Sequence, residues 1–351
     1  MGKSNAVFVG CDLGDKFTEV AVLDDTGAVV ETARVRTTRC ALEKCLGKYK
    51  RARVVVEVGV HSRWVREVLS ALGHEVIVAN PRQVRLIWKR RTKTDRTDAM
   101  VLARLGRFDV SLLAPVQHRS RSSQLDLAAV RSRDLIVGVR TKLMNHVRGT
   151  LKQFGFRVPT CSANTFPRHA EAALPDELVP ALAPALAIIR VMNDHIAAHD
   201  KQVTELATQV YRHTERMSQI PGVGDLSALT FALTLDDPTR FKKSRFVAAF
   251  LGLTPAKEQS GSSDPQRHIT KAGDPLVRKY LVQCAQHVLG RTTADSDLRR
   301  WGLHLAARGG KNGKKRAVIA VARKLAVLMH RLWISGERYQ PFGYAAPAMT
   351  P

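Results

Sequence analysis

Two aspartates, Asp95 and Asp98, stand three residues apart in the stretch KTDRTDAMVLARL (93–105). On a helix that begins near Asp95, both side chains project from the same face. The two carboxylates repel each other, and a position in the first helical turn offsets part of that cost. Two interpretations are open at this point. The acids are either an ordinary acidic helix start or one half of a larger acidic site.

Two further acids end predicted buried strands. Asp12 ends AVFVGCD, the first predicted strand, and Glu57 lies at the end of ARVVVEVG, the fourth. These strands are neighbours in the predicted sheet, so both carboxylates would meet at one edge, with the Asp95 helix packed across it. Carboxylates clustered at a buried edge require a cation, and oxygen ligands suit Mg²⁺ or Mn²⁺. We therefore predict a metal site at Asp12, Glu57, Asp95 and Asp98, of the kind that orients a phosphodiester for cleavage.

The composition indicates a polyanionic partner. The chain has 351 residues and 56 Lys and Arg against 31 Asp and Glu, a net charge of +25. Such an excess favours a nucleic acid first and an anionic membrane surface second. We find no secretory signal and no segment of membrane-spanning length; the apolar run 317–322 stops at Arg323 and Lys324. Five cysteines without a CxxC pair argue against disulfides or a zinc knuckle and for a reducing cytoplasm.

Residues 1–110 carry alternating strand and helix patterns in the order βββαβαβα. Short β-branched runs predict buried strands, and the segments between them have helical periodicity. This order is typical of an RNase H-like (RuvC-like) domain, a mixed α/β sheet with helices on both faces. We predict that residues 1–110 form this catalytic domain.

The remainder of the chain is predicted to be mostly helical. Residues 111–217 form a helical segment with a proline-rich, loop-rich connection at 156–185. Residues 186–217 follow a heptad seam that predicts a coiled coil. The seam comprises Ile189, Met192, Ile196, His199, Val203, Leu206, Val210, His213 and Met217. Residues 218–340 form a helical C-terminal domain with a helix-hairpin-helix-like element at IPGVG (220–224), and 341–351 form a tail.

Basic and glycine residues that could hold a phosphate backbone occur along the whole chain. Glycines before a helix can present backbone N–H groups to a phosphate, although an ordinary capped helix start gives the same pattern. Any single exposed cation can equally belong to a solvated charged face. The predicted nucleic-acid contacts are Lys93, Arg96, Arg131, Arg133, Arg140, Arg148, Gly222, Gly224, Lys257, Arg267, Lys271, Arg278, Lys314, Lys315 and Arg316.

The motifs also resemble a known family. CDLGDKFTEVAVLD, VVVEVGVHSRWV and KTDRTDAMVLARL resemble the N-terminal domain of the DEDD-type insertion-sequence transposases, a pattern that Piv-type DNA invertases share. In the second half, IPGVGDLSALTFALTLDDPTRFKKSRFVAAFLGLTP, QSG and ITKAGDPLVRKYLVQCA follow in the family's order. The resemblance implies a DNA recombinase that forms tetramers from dimers. In some relatives a noncoding bridge RNA pairs with donor and target DNA.

The resemblance also implies a serine nucleophile in the C-terminal domain. By position this is Ser260 in EQSGSS, where many relatives have Ser-Ser-Gly and this chain has Gln259-Ser260-Gly261. Ser262 and Ser263 lie close by and remain alternatives. Without the resemblance, SGSSDP is typical of a flexible surface loop.

We therefore expect a cytoplasmic, nucleoid-associated bacterial transposase or recombinase that is homo-oligomeric and acts on donor and target DNA. The alternatives are a metal-dependent, junction-resolving hydrolytic nuclease and a nucleic-acid-binding protein without catalysis. An actin-like ATPase also opens with a strand-ending Asp-Leu-Gly. It would need a second DxG strand and a glycine-rich adenosine loop, and the sequence has neither.

Overall fold

A computed structural model describes residues 6–82, 84, 94–261, 263–265, 267–310 and 312–343. Lys93 and Ser262, both singled out above, lie outside these residues. The chain divides into two compact units, Met1–His118 and Arg119–Pro351. The finer division of the second unit at residue 217 stays a prediction.

The first unit contains a five-stranded mixed sheet. Its strands are β1 (Val7–Leu13), β2 (Phe17–Leu23), β3 (Val29–Arg36), β4 (Ala52–Glu57) and β5 (Glu75–Ala79), and its helices are α1 (Arg39–Leu46), α2 (Ser62–Ala71) and α3 (Asp95–Phe108). The strand order is β3-β2-β1-β4-β5. The β1–β2 and β2–β3 pairs are antiparallel, and β1–β4 and β4–β5 are parallel. The mixed α/β sheet and the order of its elements agree with the sequence prediction.

Helices cover both faces of this sheet. On one face, Cys11 of β1 and Val56 of β4 pack with Leu42 of α1 and Leu69 of α2 in one buried cluster. On the other face, Val55 packs in a second cluster with Leu102 of α3. Because side chains alternate along a strand, this assignment fixes which face every other strand residue takes.

The second unit is helical. Its helices are α4 (Arg121–Gln153), α5 (Phe166–Ala172), α6 (Val179–Glu205), α7 (Thr214–Ser218), α8 (Asp225–Leu235), α9 (Arg245–Phe250), α10 (Pro275–Val288), α11 (Asp297–Ala307) and α12 (Gly313–Ser335). The largest core of the unit gathers Phe231 of α8, Leu281 of α10 and Leu325 of α12. Burial of each such side chain stabilises the fold by about 1.5–3 kcal/mol.

The predicted heptad seam packs against α4 of the same chain. Ile189 shares a cluster with Val147 of α4, and Val203 shares another with Val130. Because later residues of α6 meet earlier residues of α4, the two helices run antiparallel. The continuous helix predicted to residue 217 is wrong at its end, since a π-helical turn follows at Leu206–Val210 and α7 begins only at Thr214. A coiled coil stays a prediction.

The proline-rich segment is helical at its end. Residues 156–178 contain only α5 and a short 3-10 turn, as predicted, but α6 already begins at Val179. Pro180 lies in the first turn, where a missing N–H costs no helical hydrogen bond.

One described stretch, Asp176–Val210, is also long and apolar enough to cross a membrane by length and composition. The expectation that no segment reaches that length is therefore wrong. One such helix is weak evidence of a membrane, because the core helices of soluble proteins pass the same test.

Candidate active site

Asp12 and Glu57 stand level on neighbouring strands. In the parallel ladder Cys11 pairs with Val56, and the same register brings Asp12 beside Glu57, with strands about 4.8 Å apart. Cys11 and Val56 point into the core beneath α1 and α2. Their successors therefore project from the opposite face, the one that α3 covers. Both acids are partly buried at the carboxyl end of their strands.

Helix α3 lies directly on β1 because residue 10 is glycine. A Cβ at Gly10 would lie 1.9 Å from the Ala99 oxygen and 2.5 Å from the Ala103 nitrogen, distances that no side chain could tolerate. Near the start of β4, Arg53 Nη1 donates a hydrogen bond to the Gly106 oxygen at 3.3 Å. The last turns of α3 therefore lie over the strand starts, and its first turn points towards the strand ends.

The first turn of α3 carries Asp95 and Asp98. Ala99 and Leu102, four residues further on, are buried against the sheet. The two aspartates therefore continue the sheet-facing stripe by one turn, at the edge where Asp12 and Glu57 lie. Thr94 caps the helix, accepting a hydrogen bond from the Thr97 amide at 3.3 Å. Asp95 is exposed and Asp98 is partly buried.

Strand register and helix direction thus bring four carboxylates to one edge and one face of the sheet. Their oxygen atoms are the donors that Mg²⁺ and Mn²⁺ prefer, so the donor chemistry fits the predicted ion. Within the part of the chain that the structure describes, no three Asp, Glu, His or Cys side chains are close enough to hold a metal ion. The metal site itself stays a prediction.

Asp12 acts on its buried neighbour Cys11. Burial raises the pKa of the Cys11 thiol, and the nearby Cys45 and Asp12 raise it further. A thiol held in this protonated form is a poor nucleophile and a poor metal ligand. Cys11 is therefore a core residue, although it directly precedes a predicted site residue.

A polar chain that the sequence analysis missed joins the loops after β1 and β4. His61 Nε2 lies 3.5 Å from Asp15 Oδ1, and Trp64 Nε1 donates to His61 Nδ1 at 3.1 Å. Because Trp64 can only donate, the other ring nitrogen, Nε2, carries a proton and faces Asp15. Asp15 lies three residues past Asp12, and His61 lies four past Glu57. This short spacing from the strand-ending acids was the only sequence feature that indicated a polar contact between the two loops.

Ser260 lies at the tip of a β-hairpin arm, which comprises the described residues 252–261, 263–265 and 267–271. The Ser260 and Ser263 backbones exchange N–H···O bonds of 3.2 and 3.0 Å, and Gly261 has a φ of 57° that closes the tight turn. Nearer the base, the Ala256 amide donates to the His268 oxygen at 2.9 Å. Two isolated backbone bridges, Pro255 with Ile269 and Ser260 with Ser263, join the two sides of the arm. Ser260 is exposed at its end.

Two glycines let the base of the hairpin arm fold tightly. Gly252 has a φ of 68°, and a Cβ there would lie 2.3 Å from the Ala272 nitrogen. A Cβ at Gly273 would lie 2.2 Å from the Phe250 oxygen. Arg278 Nη1 donates to the Gly273 oxygen at 2.8 Å and to the Leu251 oxygen at 3.1 Å. Arg278, predicted to contact nucleic acid, therefore also supports the arm that carries Ser260.

The IPGVG turn connects α7 to α8. Gly222 has a φ of 89°, and a Cβ there would lie 3.1 Å from His287 Nδ1, so packing as well as backbone conformation selects glycine. Gly224 is the N-cap of α8 and has no side chain to cap the helix. Asp225 follows in the first turn, where its carboxylate already meets the positive end of the helix. Phosphate binding by Gly222 and Gly224 stays a prediction.

The predicted DNA-facing arginines of α4 have partners within the chain. Arg131 pairs with Asp274 at 2.7 Å and Arg133 with Asp200 at 2.5 Å. Arg140 Nη1 donates to Asn193 Oδ1 at 2.7 Å. The remaining member of this set, Arg148, lies over the Phe166 ring at 4.8 Å. These contacts join α4 to its neighbours, so each side chain has a structural role that the sequence analysis did not foresee. A phosphate contact stays a prediction.

The other predicted contacts differ in their surroundings. Arg96, on α3, donates to Thr32 Oγ1 at 2.9 Å. Arg267 pairs with Glu258 across the hairpin arm at 2.7 Å. The rest are exposed, and they are Lys257 and Lys271 of the arm and Lys314, Lys315 and Arg316 in the first turn of α12.

Comparison with known proteins identifies two family segments. A model described as Transposase, of the IS110 DEDD type, matches residues 9–156. A second model, described as Transposase IS116/IS110/IS902 family, matches residues 214–300. The first segment contains the four carboxylates, and the second contains Ser260. The N-terminal match implies an RNase H-like fold for the sheet of the first unit.

Three relatives extend the similarity along the chain. The chain is 27% identical over 343 residues to the transposase for insertion sequence element IS1111A of Coxiella burnetii, covering 95% of this chain and 91% of the relative. It is 30% identical over 318 residues to the putative transposase y4pF/y4sB of Sinorhizobium fredii, covering 86% and 74%. A pilin gene-inverting protein of Moraxella bovis is 24% identical over 265 residues, covering 73% and 72%.

These similarities imply a DNA-cutting and DNA-rejoining enzyme. They agree with the N-terminal sheet, the helical remainder and the order of the two sequence blocks. The chain belongs to the IS110/IS116 family of insertion-sequence transposases.

Proposed function

We propose that this transposase cuts and rejoins DNA with two parts of its chain, the carboxylate edge of the sheet and the serine of the hairpin arm. The observation that carries the proposal is the common edge and face of Asp12, Glu57 and the first turn of α3. An ordinary acidic helix start accounts for Asp95 and Asp98 alone. A shared phosphate-handling site accounts for all four acids together, which favours this proposal.

In this proposal Asp12, Glu57, Asp95 and Asp98 hold a divalent ion, Mg²⁺ or Mn²⁺. When bound, the ion supplies charge neutralisation and Lewis-acid polarisation at the scissile phosphate. The chain's own contribution is to fix the donors, because Asp12 and Glu57 lie on hydrogen-bonded strands. Thr94 likewise holds the start of α3 with its cap. Rigid supports of this kind keep ligands in productive positions.

Ser260 is the proposed nucleophile. Its hydroxyl oxygen attacks the phosphorus, a bond to one deoxyribose oxygen breaks, and the strand end remains attached as a phosphoserine. A carboxylate accepts the serine proton, and the leaving oxygen is protonated by solvent. Attack by the hydroxyl of a second strand then releases the serine and rejoins the DNA. Exposure of Ser260 at the tip of the hairpin arm suits access to a backbone phosphate.

Cleavage of supercoiled plasmid carrying the element's ends tests both parts, with Asp98→Asn and Ser260→Ala. Each change should lower the rate by more than about 100-fold, because each removes a group that stabilises the transition state by several kcal/mol. Asp25→Asn is the matched control, an exposed carboxylate in the β2–β3 turn at the opposite edge of the sheet. It should leave cleavage unchanged.

The nucleophile is identified by a covalent adduct that survives denaturing electrophoresis and disappears after proteolysis. Wild type and Asp25→Asn should form it, and Ser260→Ala should not. If Ser260→Ala still cuts, the protein is a hydrolytic nuclease that uses water. If Ser262→Ala or Ser263→Ala abolishes the adduct instead, the nucleophile lies at that position. Complete absence of cleavage with Mg²⁺ and Mn²⁺ would leave only binding without catalysis.

We also propose that a noncoding RNA from the element guides the enzyme to donor and target DNA. Support comes from the net charge of +25 and from the family of the chain. Expression together with the flanking DNA, purification and sequencing of bound RNA test the proposal. Recovery of host RNA alone, without element sequence, would contradict it.

We further propose that the enzyme is a homo-oligomer, a dimer that forms tetramers, assembled partly through a coiled coil. Support comes from apolar residues left exposed on the paired helices, Leu135 at 68%, Val191 at 54% and Ile188 at 48%. Light scattering after size exclusion should give a dimer or tetramer for wild type. Replacement of Val191 and Ile188 by glutamate should shift it towards monomer. A monomeric wild type would contradict this assembly.

A further inference from the structure

A large cavity opens in the second unit beside the hairpin arm. Its volume is about 1500 Å³, and its walls come from the arm, from α11 and α12, and from the segment around Tyr339 and Pro341. Pockets for single small ligands have about 300–1,000 Å³, so this space could hold several linked groups. The cavity is lined by four of the predicted nucleic-acid contacts, Arg267, Lys271, Lys315 and Arg316. The sequence did not indicate that they share one cavity.

The floor of the cavity is apolar and partly aromatic. Leu253 and Ile269 of the arm, Trp301 of α11 and Val327 of α12 line it together. Trp301 is only half-buried, although it packs on the central core of the unit. A concave apolar surface of this kind is suited to flat, unstacked rings.

The rim of the cavity is strongly cationic. The cations lining it are Arg267, Lys271, Lys315, Arg316, Arg323, Lys324 and Arg331. Asp297 is the single carboxylate among the lining residues, and it already accepts a hydrogen bond from the Gly343 amide at 3.0 Å. Among the described residues, no carboxylate forms an ion pair with Lys315, Arg316 or Arg323. The described residues therefore leave the charge of these three cations open to a bound anion.

Two cationic features of the rim favour a bound anion. Lys324 Nζ lies 3.7 Å from the centre of the Trp301 ring, a favourable cation–π contact that holds a positive charge beside the aromatic floor. Lys315 and Arg316 lie in the first turn of α12, where the helix dipole disfavours positive charge. A bound phosphate would offset this second effect.

We propose that this cavity binds a single-stranded segment of nucleic acid, with unstacked bases on the Trp301 floor and phosphates on the cationic rim. A duplex presents phosphates on a convex surface and keeps its bases stacked inside, so it would not use a concave apolar floor. Aromatic platforms beside a basic groove are the usual device for single strands. The inference rests on the proposed action on DNA, and it adds that this cavity binds nucleic acid in single-stranded form.

Fluorescence anisotropy of the full chain tests this with labelled strands of about 12 nucleotides, as DNA, as RNA of the same sequence and as DNA duplex. Trp301→Ala should weaken single-strand binding about 5- to 100-fold while leaving duplex binding nearly unchanged. Trp301→Phe, which keeps a ring and the core packing, should retain most of the affinity. The DNA and RNA arms show which strand the cavity prefers.

Two exposed lysines supply a matched control. Lys315 lines the cavity, and Lys152, near the end of α4, does not. Lys315→Gln should reduce the slope of log affinity against log salt by about 0.7 on single strands, the value of one phosphate contact. Lys152→Gln should leave that slope unchanged.

Several outcomes would overturn the proposal. These are equal losses on duplex and single strand for Trp301→Ala, equal salt slopes for Lys152→Gln and Lys315→Gln, or displacement of the strand by polyglutamate of the same charge. The last would mean that the cavity takes any acidic chain. A melting curve for each variant separates lost binding from lost folding. Because this assay measures binding without cleavage, it tests the cavity independently of the proposed carboxylate and serine chemistry. Either proposal can therefore be wrong while the other is correct.

Discussion

Gly10→Ala should lower the cleavage rate, by displacing the α3 acids, more than it lowers the stability of the domain. The added Cβ would lie 1.9 Å from the Ala99 oxygen, whereas ordinary contact begins at 3.4 Å. Helix α3 must therefore retreat from β1 by about 1.5 Å at this point. Ala99 is four residues from Asp95 and directly follows Asp98, so the retreat moves both acids away from Asp12.

The expected cost in stability is about 1–3 kcal/mol, the usual range for overpacking a close contact. The expected cost in cleavage rate is larger, about 100-fold, because a displacement of about 1 Å in a positioned group has that effect. The assay is plasmid cleavage at a temperature where melting curves show the variant folded. Increasing Mn²⁺ concentration should not restore the rate.

Gly106→Ala is the matched comparison on the same helix. Its Cβ would lie 2.4 Å from Val55 Cγ2, so it also pushes α3 from the sheet, but at the end remote from the acids. We expect a similar loss of stability and less than about a 10-fold loss of cleavage rate. If the Gly10→Ala variant cleaves at the wild-type rate, the proposed position of the α3 acids beside Asp12 is wrong. Equal losses of rate in the two variants would also refute it.

Three other predictions address stability and metal dependence. Asp274→Ala should lower the free energy of unfolding by about 1–3 kcal/mol in urea titrations, because it breaks the 2.7 Å pair with Arg131 and removes the N-cap of α10, which accepts a hydrogen bond from the Leu276 amide at 2.9 Å; an unchanged midpoint would contradict this. His330 is buried, its two nitrogens lie 3.0 Å from Ser244 Oγ and 2.9 Å from the Pro238 oxygen, and burial lowers its pKa. Its stabilising contribution is therefore present above about pH 6.5 and lost as pH falls, since only the unfolded chain accepts the proton readily. Urea midpoints at about pH 7.5 and 5.5 should show a smaller loss on acidification for His330→Gln than for wild type, and equal losses would contradict it. Chelation by EDTA should abolish cleavage, and added Mg²⁺ or Mn²⁺ should restore it, while DNA binding by anisotropy persists; cleavage that survives chelation would contradict the proposed ion.

Much of the first unit could be predicted because its signals are local. Buried strands such as ARVVVE contain short β-branched runs, and the turns between the strands are polar. The positions of Asp12 and Glu57 at strand ends follow from that pattern. Once the two strands are paired, the alternation of side chains along each strand places both acids on the same face of the sheet.

The second unit was harder because its decisive contacts are remote in sequence. Arg133 and Asp200 are 67 residues apart, and no local pattern indicates that they pair. The hairpin arm is likewise held by bonds between segments more than ten residues apart, such as Ala256 with His268. A serine-rich stretch without hydrophobic alternation gives no strand signal. The sequence therefore contained no indication of the backbone bridges that join the two sides of this loop.

The amino-acid sequence alone determined the chemical inventory of this transposase: the acids at strand ends, the acidic helix start, the serine and the large positive charge. Each is a local property of residue type and spacing. Only the tertiary structure decided in which direction α3 crosses the sheet and which of the scattered cations share a surface. Helix direction over the sheet brings the first turn of α3 to the strand ends. Packing of α12, α11 and the hairpin arm gathers scattered cations around one apolar cavity. This gathering of side chains depends on contacts between segments that are distant in the sequence. Local sequence patterns do not indicate such contacts.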